Sequence, residues 1–167
     1  MTGQDYTSSI SANISAQEAT DRINRVADWW TAKVTGASSK DGDAFKLDWG
    51  ETWVEMRVVE LKPRERVVWL VTDCNLGFIN DKKEWKGTQV IFDITSNGPE
   101  TTVKMTHVGL KPTVECYGVC EKGWNFYILE SLQNLLQENS GFPDMRGKRG
   151  NAEKTAQASS KNRKTTL

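Results

Sequence analysis

The sequence predicts an α+β domain in which a curved antiparallel sheet is closed by a long C-terminal helix. Three observations carry this: one strand followed by a clear helix start near the N-terminus, a change to a two-residue apolar period from Phe45 to Val108 with no crossover helix between strands, and a return to helical spacing after Lys111-Pro112.

Residues 7–14 alternate polar and apolar side chains and read as the first strand. Ser15-Ala16-Gln17-Glu18 then forms a capping box, in which the Ser15 hydroxyl accepts from the Glu18 amide. Ala19, Ile23, Val26, Ala27 and Trp30 follow on one helical face, and Gly36 with Ser38-Ser39-Lys40-Asp41-Gly42 ends the expected helix. Trp29 and Trp30 are adjacent on it, so one is expected inward and the other over a neighbouring edge. Phe45, Leu47 and Trp49 alternate with Lys46 and Asp48, and Val54, Met56 and Val58 alternate with Glu55 and Arg57, which gives two half-buried strands. Lys62-Pro63-Arg64-Glu65 turns into the nearly continuous apolar run Arg66–Thr72. Val90, Phe92 and Ile94 share one face of the next strand, and Asn97-Gly98-Pro99 turns it into Thr102–Val108. Successive hairpins of this kind make the sheet antiparallel.

The last helix is expected to start at Thr113 as N-cap, with Glu115 against the positive end of its dipole. Tyr117, Cys120, Trp124, Ile128 (or Tyr127), Leu132, Leu135 and Leu136 trace its stripe, and Gly141 and Pro143 stop it. That makes roughly 25 residues, or about 37 Å at 1.5 Å per residue. Gly118 and Gly123 each cost up to ~1 kcal/mol there relative to Ala; they admit a close neighbour or leave space. The reading is one domain over residues 1–142 and a disordered basic tail over 143–167.

A chain of 167 residues can bury a full core without staples. With 37% hydrophobic and 26% charged residues it reads as an ordinary globular domain, but seven Trp demand that much aromatic surface be buried or presented. No apolar run is long enough to span a membrane, and Met1–Asp5 lacks the basic start of a secretory signal. The expectation is therefore a cytoplasmic protein whose Cys74, Cys116 and Cys120 are reduced thiols. Net charge is zero, but seven basic residues against two acidic ones from Pro143 to Leu167 leave the remainder acidic. The body is thus no nucleic-acid binder, and the tail lacks aromatic residues for base stacking.

Several segments together resemble one family: Ala27-Asp28-Trp29-Trp30-Thr31, the hairpin from Val59-Glu60-Leu61-Lys62-Pro63 to Val68-Trp69, Trp85-Lys86-Gly87-Thr88, Thr106-His107-Val108-Gly109-Leu110, and Gly123-Trp124. Over about residues 7–140 the chain is similar to the START-like (SRPBCC) superfamily of the birch-pollen-allergen proteins, in the branch of activators of the heat-shock-protein ATPase (Aha-type). The resemblance implies a helix-grip fold with a helix over a concave sheet and lipophilic ligands often between them. It does not imply one activity, since members include lipid carriers, hormone receptors, polyketide cyclases and chaperone regulators.

Catalytic apparatus is not evident. No Gly-rich phosphate loop, nucleophile elbow or HExxH occurs. His107, the single histidine, shares a strand face with Val103 and Met105; as a base it needs an orienting carboxylate, for which Asp93 and Glu55 are the candidates. A pocket-wall histidine is the plainer reading. Cys116 and Cys120 are four apart on a helix, but two thiols without further ligands make a poor metal site. No metal and no cofactor is expected. The aromatic set is more informative: Trp49, Trp69, Phe92, Tyr117 and Trp124 lie on elements facing the space between sheet and helix, and Phe78 and Ile79 tip the Cys74–Trp85 segment like a flap over a pocket mouth. The expected ligand-binding residues are Trp49, Trp69, Phe78, Phe92, Met105, His107, Tyr117 and Trp124, around an apolar or aromatic small molecule. A chaperone is the alternative partner, and a cyclase- or hydrolase-type enzyme using His107 the third reading.

Overall fold

A computed structural model describes residues 4–146. Strand β1 (Tyr6–Ala12) leads into helices α1 (Ala16–Ile23) and α2 (Val26–Trp29), followed by strands β2 (Val34–Gly36), β3 (Ala44–Asp48), β4 (Trp53–Lys62), β5 (Arg66–Asn75), β6 (Gln89–Asn97) and β7 (Glu100–Val108). A continuous C-terminal helix of 22 residues follows. It comprises α3 (Tyr117–Phe126), a π-helical stretch (Tyr127–Leu132) and α4 (Gln133–Glu138). The seven strands form one antiparallel sheet in the order β1-β7-β6-β5-β4-β3-β2. Hairpins account for every neighbour except β1, which returns from the start of the chain to pair with β7, Tyr6 opposite His107. Register shifts between β4 and β5 at Glu55/Met56 and Val58/Glu60 insert bulges, which bend the middle of the sheet around the helix. This is the helix-grip arrangement.

Ser15 caps α1 as expected, its hydroxyl accepting from the Glu18 amide at 3.0 Å. The helix that follows is shorter than its periodicity predicts. It ends at Ile23, Arg25 leaves helical backbone (φ −89°, ψ 66°), α2 lasts one turn, and Val34–Gly36 is an edge strand. Beyond the break both tryptophans enter the core, at 0% and 5% exposure, with rings stacked 5.7 Å apart, and both stack on Trp69 at 6.4 Å. The Trp29 indole N–H also donates to the Ile23 carbonyl at 2.9 Å, satisfying an acceptor that the interrupted helix leaves open.

The C-terminal helix starts later than expected. Cys116 rather than Thr113 is the N-cap, and its side chain makes no cap hydrogen bond. The carboxylate of Glu84, from the β5–β6 loop, accepts instead from the amides of Glu115 (2.7 Å) and Cys116 (2.8 Å). Glu115 does not face its own helix dipole; its carboxylate accepts from the amides of Asn80 and Asp81. At the far end Asn139, in the left-handed region (φ 62°), ends the helix before Gly141. Arg22 donates to the Leu135 and Leu136 carbonyls. Gly141 has another duty: a Cβ there would lie 2.3 Å from the Asp28 carbonyl oxygen, so the chain crosses α2 in contact. Asp144 holds that crossing, its amide donating to Trp30 O and its carboxylate accepting from the Ala32 amide. Pro143–Arg146, placed by the sequence in the tail, therefore contribute contacts to the body; the rest of the tail lies outside the described residues.

Buried positions Cys116, Cys120, Trp124, Ile128, Leu132 and Leu136 recur every four residues. At 3.6 residues per turn such a row drifts by about 40° per step and would rotate out of the core. The π-helical stretch, with its wider turn, takes up the excess and returns Leu132 and Leu136 to the sheet. No helix among the described residues is long and apolar enough to cross a membrane.

Candidate functional site

The interior has a filled part and an open part. In the filled part Trp69 and Phe92 lie 5.0 Å apart edge to face, Trp29 stacks on Trp69 at 6.4 Å, and Phe45 packs on Trp69 at 5.1 Å. Trp29, Trp69, Phe92 and Met105 are all at 0% exposure. In the open part a pocket of about 320 Å³ lies between the sheet, the β5–β6 loop and the first turns of the C-terminal helix. That volume is at the low end of what small-molecule sites enclose. Its wall is a run of indoles: Trp49 lies 6.4 Å from Trp30, Trp30 lies 4.8 Å from Trp124, and Trp124 stacks on Trp85 at 6.0 Å with planes 6° apart. Thr52, Val54, Leu76, Phe78, Val119, Cys120, Gly123, Tyr127 and Arg146 complete the lining. Phe78 and Val119, at 48% and 52% exposure, form an apolar rim.

Gly123 makes part of this space. A Cβ there would meet nothing within 4 Å, so the missing side chain is an opening in the helix face. Across from it, the β5–β6 loop carries Leu76, Phe78 and Trp85. The loop is held at several points: Lys82 Nζ donates to the Gly77 and Ile79 carbonyls, Leu76 N to Lys82 O, and the two carboxylates Glu84 and Glu115 tie it to the helix start. Those backbone amides, first Asn80 and then Asp81, hold the Glu115 carboxyl below its ordinary value.

His107 sits behind the indole wall, with Trp85 edge-on at 4.6 Å. Its hydrogen bonds define its chemical state. The Trp124 indole can only donate, and it donates to Nδ1 at 3.1 Å, so Nδ1 is the acceptor. Nε2 therefore carries the proton and donates to Thr88 Oγ1 at 2.9 Å, whose own hydroxyl donates to the Trp85 carbonyl at 2.6 Å. Burial lowers the ring's pKa to about 3, against a small opposing pull from Asp5, and the imidazole is neutral. The carboxylates considered as orienting partners are elsewhere: Asp93 pairs with Arg66, and Glu55 lies in register with Lys46 and Asp73. Both ring nitrogens are engaged, and neither is available as a base. Among the described residues no group of three or more His, Cys, Asp or Glu side chains could hold a metal ion.

Residues 19–137 match the Activator of Hsp90 ATPase homolog 1-like protein family. The chain belongs to that family. No curated protein matches the chain at significance. Among solved structures, the Aha1 dimer from Colwellia psychrerythraea is similar at 20% identity, covering 83% of this chain and 99% of that one, with a TM-score of 0.67. A protein of Mesorhizobium loti is 16% identical over 82% of this chain and all (100%) of its own, with a TM-score of 0.59. DynU16, from the dynemicin biosynthetic locus, is 17% identical over 81% of this chain and 48% of its own, with a TM-score of 0.58. At these identities the likeness is one of fold.

Within this Activator of Hsp90 ATPase homolog 1-like domain, three of the residues expected around the cavity, Trp49, Phe78 and Trp124, line the pocket. Trp69, Phe92 and Met105 belong instead to the filled core, where Trp29 packs on Trp69 and Phe92 and Trp30 stacks on Trp69. His107 backs the wall through Trp124 without lining it. Tyr117 faces along the helix surface, its hydroxyl 3.3 Å from Glu121. Trp30, Trp85, Tyr127 and Arg146 are pocket residues that sequence reasoning did not single out. For Trp85 a signal existed, since it closes the segment whose apolar tip had no periodic reason. Arg146 carried none; it arrives through the crossing at Gly141.

Proposed function

We propose that the pocket binds an apolar or aromatic small molecule, held between the Trp30–Trp124–Trp85 indoles and the rim of Phe78 and Val119. The observation that carries this is the contrast inside the domain: most of the sheet-facing interior is packed solid, while the space at Gly123 is left open and lined by flat aromatic faces. Arg146 is the charged group in the lining and Tyr127 brings a hydroxyl, so a ligand with one anionic or polar end suits the site. Burial of apolar surface, worth ~25 cal/mol per Å², supplies the affinity, and those two groups supply orientation. Native mass spectrometry of the purified full chain, with titration of 1-anilinonaphthalene-8-sulfonate and a panel of planar aromatic acids, tests this. A bound small molecule, or saturable dye binding lost in Gly123→Leu, is expected; no guest and no saturable binding by any probe overturns it.

Family membership favours a second reading, regulation of a chaperone ATPase through the exposed apolar rim. Unchanged turnover of an Hsp90-type ATPase at saturating domain would dispose of it. Catalysis by His107 forms no part of either reading, because its proton is committed to Thr88 and its lone pair to Trp124.

A further inference from the structure

Two thiols meet at the wall of the pocket. Cys116 is the N-cap of α3 and Cys120 lies one turn on, with Cys120 Sγ–H donating to Cys116 Sγ at 2.6 Å. The Trp85 indole N–H donates to the same Cys116 sulfur at 3.3 Å. Cys116 is fully buried, whereas Cys120, at 8% exposure, is part of the pocket lining. A small solute entering past Phe78 and Val119 therefore meets Cys120 first, with a second sulfur already in contact behind it. The intervening turn has room to adjust, since a Cβ at Gly118 would meet nothing within 4 Å. The third thiol, Cys74, is separate: it is buried, is absent from the lining, and donates to Lys82 O at 3.5 Å.

We propose that Cys116 and Cys120 form a two-electron redox pair, oxidised by hydrogen peroxide to a disulfide that reshapes the helix side of the pocket. The Cys120 thiol gives up its proton as its sulfur attacks one peroxide oxygen; an S–O bond forms, the O–O bond breaks, and the departing hydroxide takes up that proton as water. The Cys116 sulfur then attacks the Cys120 sulfenic sulfur and loses its proton to the departing hydroxide; the S–S bond forms, the S–O bond breaks, and a second water leaves. Two thiols are oxidised and one peroxide is reduced to two waters. Helix neighbours four apart hold their Cβ atoms about 5–6 Å apart, and a disulfide needs about 3.5–4.5 Å. The bridge must tighten the turn that bears Cys120 and Val119, and this couples oxidation to the pocket; in the reduced pair the Cys120 thiol, then burial, push the Cys116 thiol pKa up.

The coupling rests on the proposed binding function, but the bridge does not. Full-length protein is treated with hydrogen peroxide, denatured, alkylated with N-ethylmaleimide and weighed intact. Reduced protein takes three labels, one per cysteine. Oxidised protein is expected to take one, on Cys74, with the tryptic peptide Met105–Lys122 lighter by two hydrogens and restored by dithiothreitol. Retention of all labels, a bridge that includes Cys74, or over-oxidation of a single sulfur would each overturn the pair. Dye affinity is then compared between the two forms, in the wild type and in Cys116→Ser and Cys120→Ser, which keep a small polar side chain at each site. A several-fold, reductant-reversible change confined to the wild type is expected. An unchanged affinity with the bridge formed overturns the coupling; no dye binding in either form counts against the pocket reading and leaves the mass result to decide the redox pair.

Discussion

An alanine at Gly123 should stabilise the fold and weaken the pocket together. Glycine in a helix interior costs about 0.8–1.0 kcal/mol relative to alanine, chiefly through backbone entropy. At this position nothing opposes the gain, because the added methyl meets no atom within 4 Å and projects into a pocket of about 320 Å³. A gain of that size raises the midpoint of thermal unfolding by roughly 2–5 °C for a domain of this length. Gly118→Ala is the control: its Cβ is equally unobstructed and it does not line the pocket, though in the first turn its gain is smaller. Gly123→Leu carries the same logic further and should abolish dye binding while leaving the protein folded. The assays are urea and thermal unfolding beside fluorescence titration. If Gly123→Ala destabilises the protein while Gly118→Ala does not, the helix face is closed and the pocket argument fails. Full dye affinity in a folded Gly123→Leu variant would refute it equally.

Gly141→Ala should destabilise by about 1–3 kcal/mol, because its Cβ would drive into the Asp28 carbonyl and lift the crossing over α2; urea denaturation measures it. For pH, the folded pKa of His107 is about 3 against the ordinary 6.5, so the unfolded chain takes up the proton first as pH falls. The contribution is complete above about 6.5 and is lost below it by at most about 1.4 kcal/mol per pH unit. Urea midpoints should therefore fall between pH ~6.5 and ~5, before the depressed carboxyls of Asp5 and Glu115 begin to lose their share, and the His107 ring should show no titration by NMR in that window. Glu84→Ala strips two amide partners from the start of α3 and should cost about 0.5–2 kcal/mol, with faster hydrogen exchange at Glu115 and Cys116. Exchange unchanged at those amides would mean that the loop does not hold the helix start.

Much of the sheet was legible because each strand writes its own alternation. Phe45 and Leu47, Val54 to Val58, and Val90 to Ile94 bury the residues that parity assigns to the inner face. Places where the reading went astray share one cause, a partner distant in sequence. Val26 and Trp30 fit the helical period of α1, yet the helix breaks at Arg25 and both Trp29 and Trp30 stack on Trp69. Thr113 looked like a cap, yet a carboxylate 31 residues from Glu115, on Glu84, performs that task. Trp69, Phe92 and Met105 point inward as parity demands, but whether inward meant pocket or packed core depended on where the Trp29 and Trp30 indoles came to rest.

The sequence by itself determined strands β1 and β3 to β7, the antiparallel hairpins, the presence of the first and last helices and the family, since these follow from local period, turn chemistry and short motifs; β2, which it read as helix, was not among them. Tertiary structure alone decided the pairing of β1 with β7, the neutral tautomer of His107, the two carboxylate ties on the β5–β6 loop, and the opening at Gly123. The physical reason is that a cavity is defined by what fails to fill a volume. That depends on side chains from five or more separated segments meeting, and no window of neighbouring residues contains it.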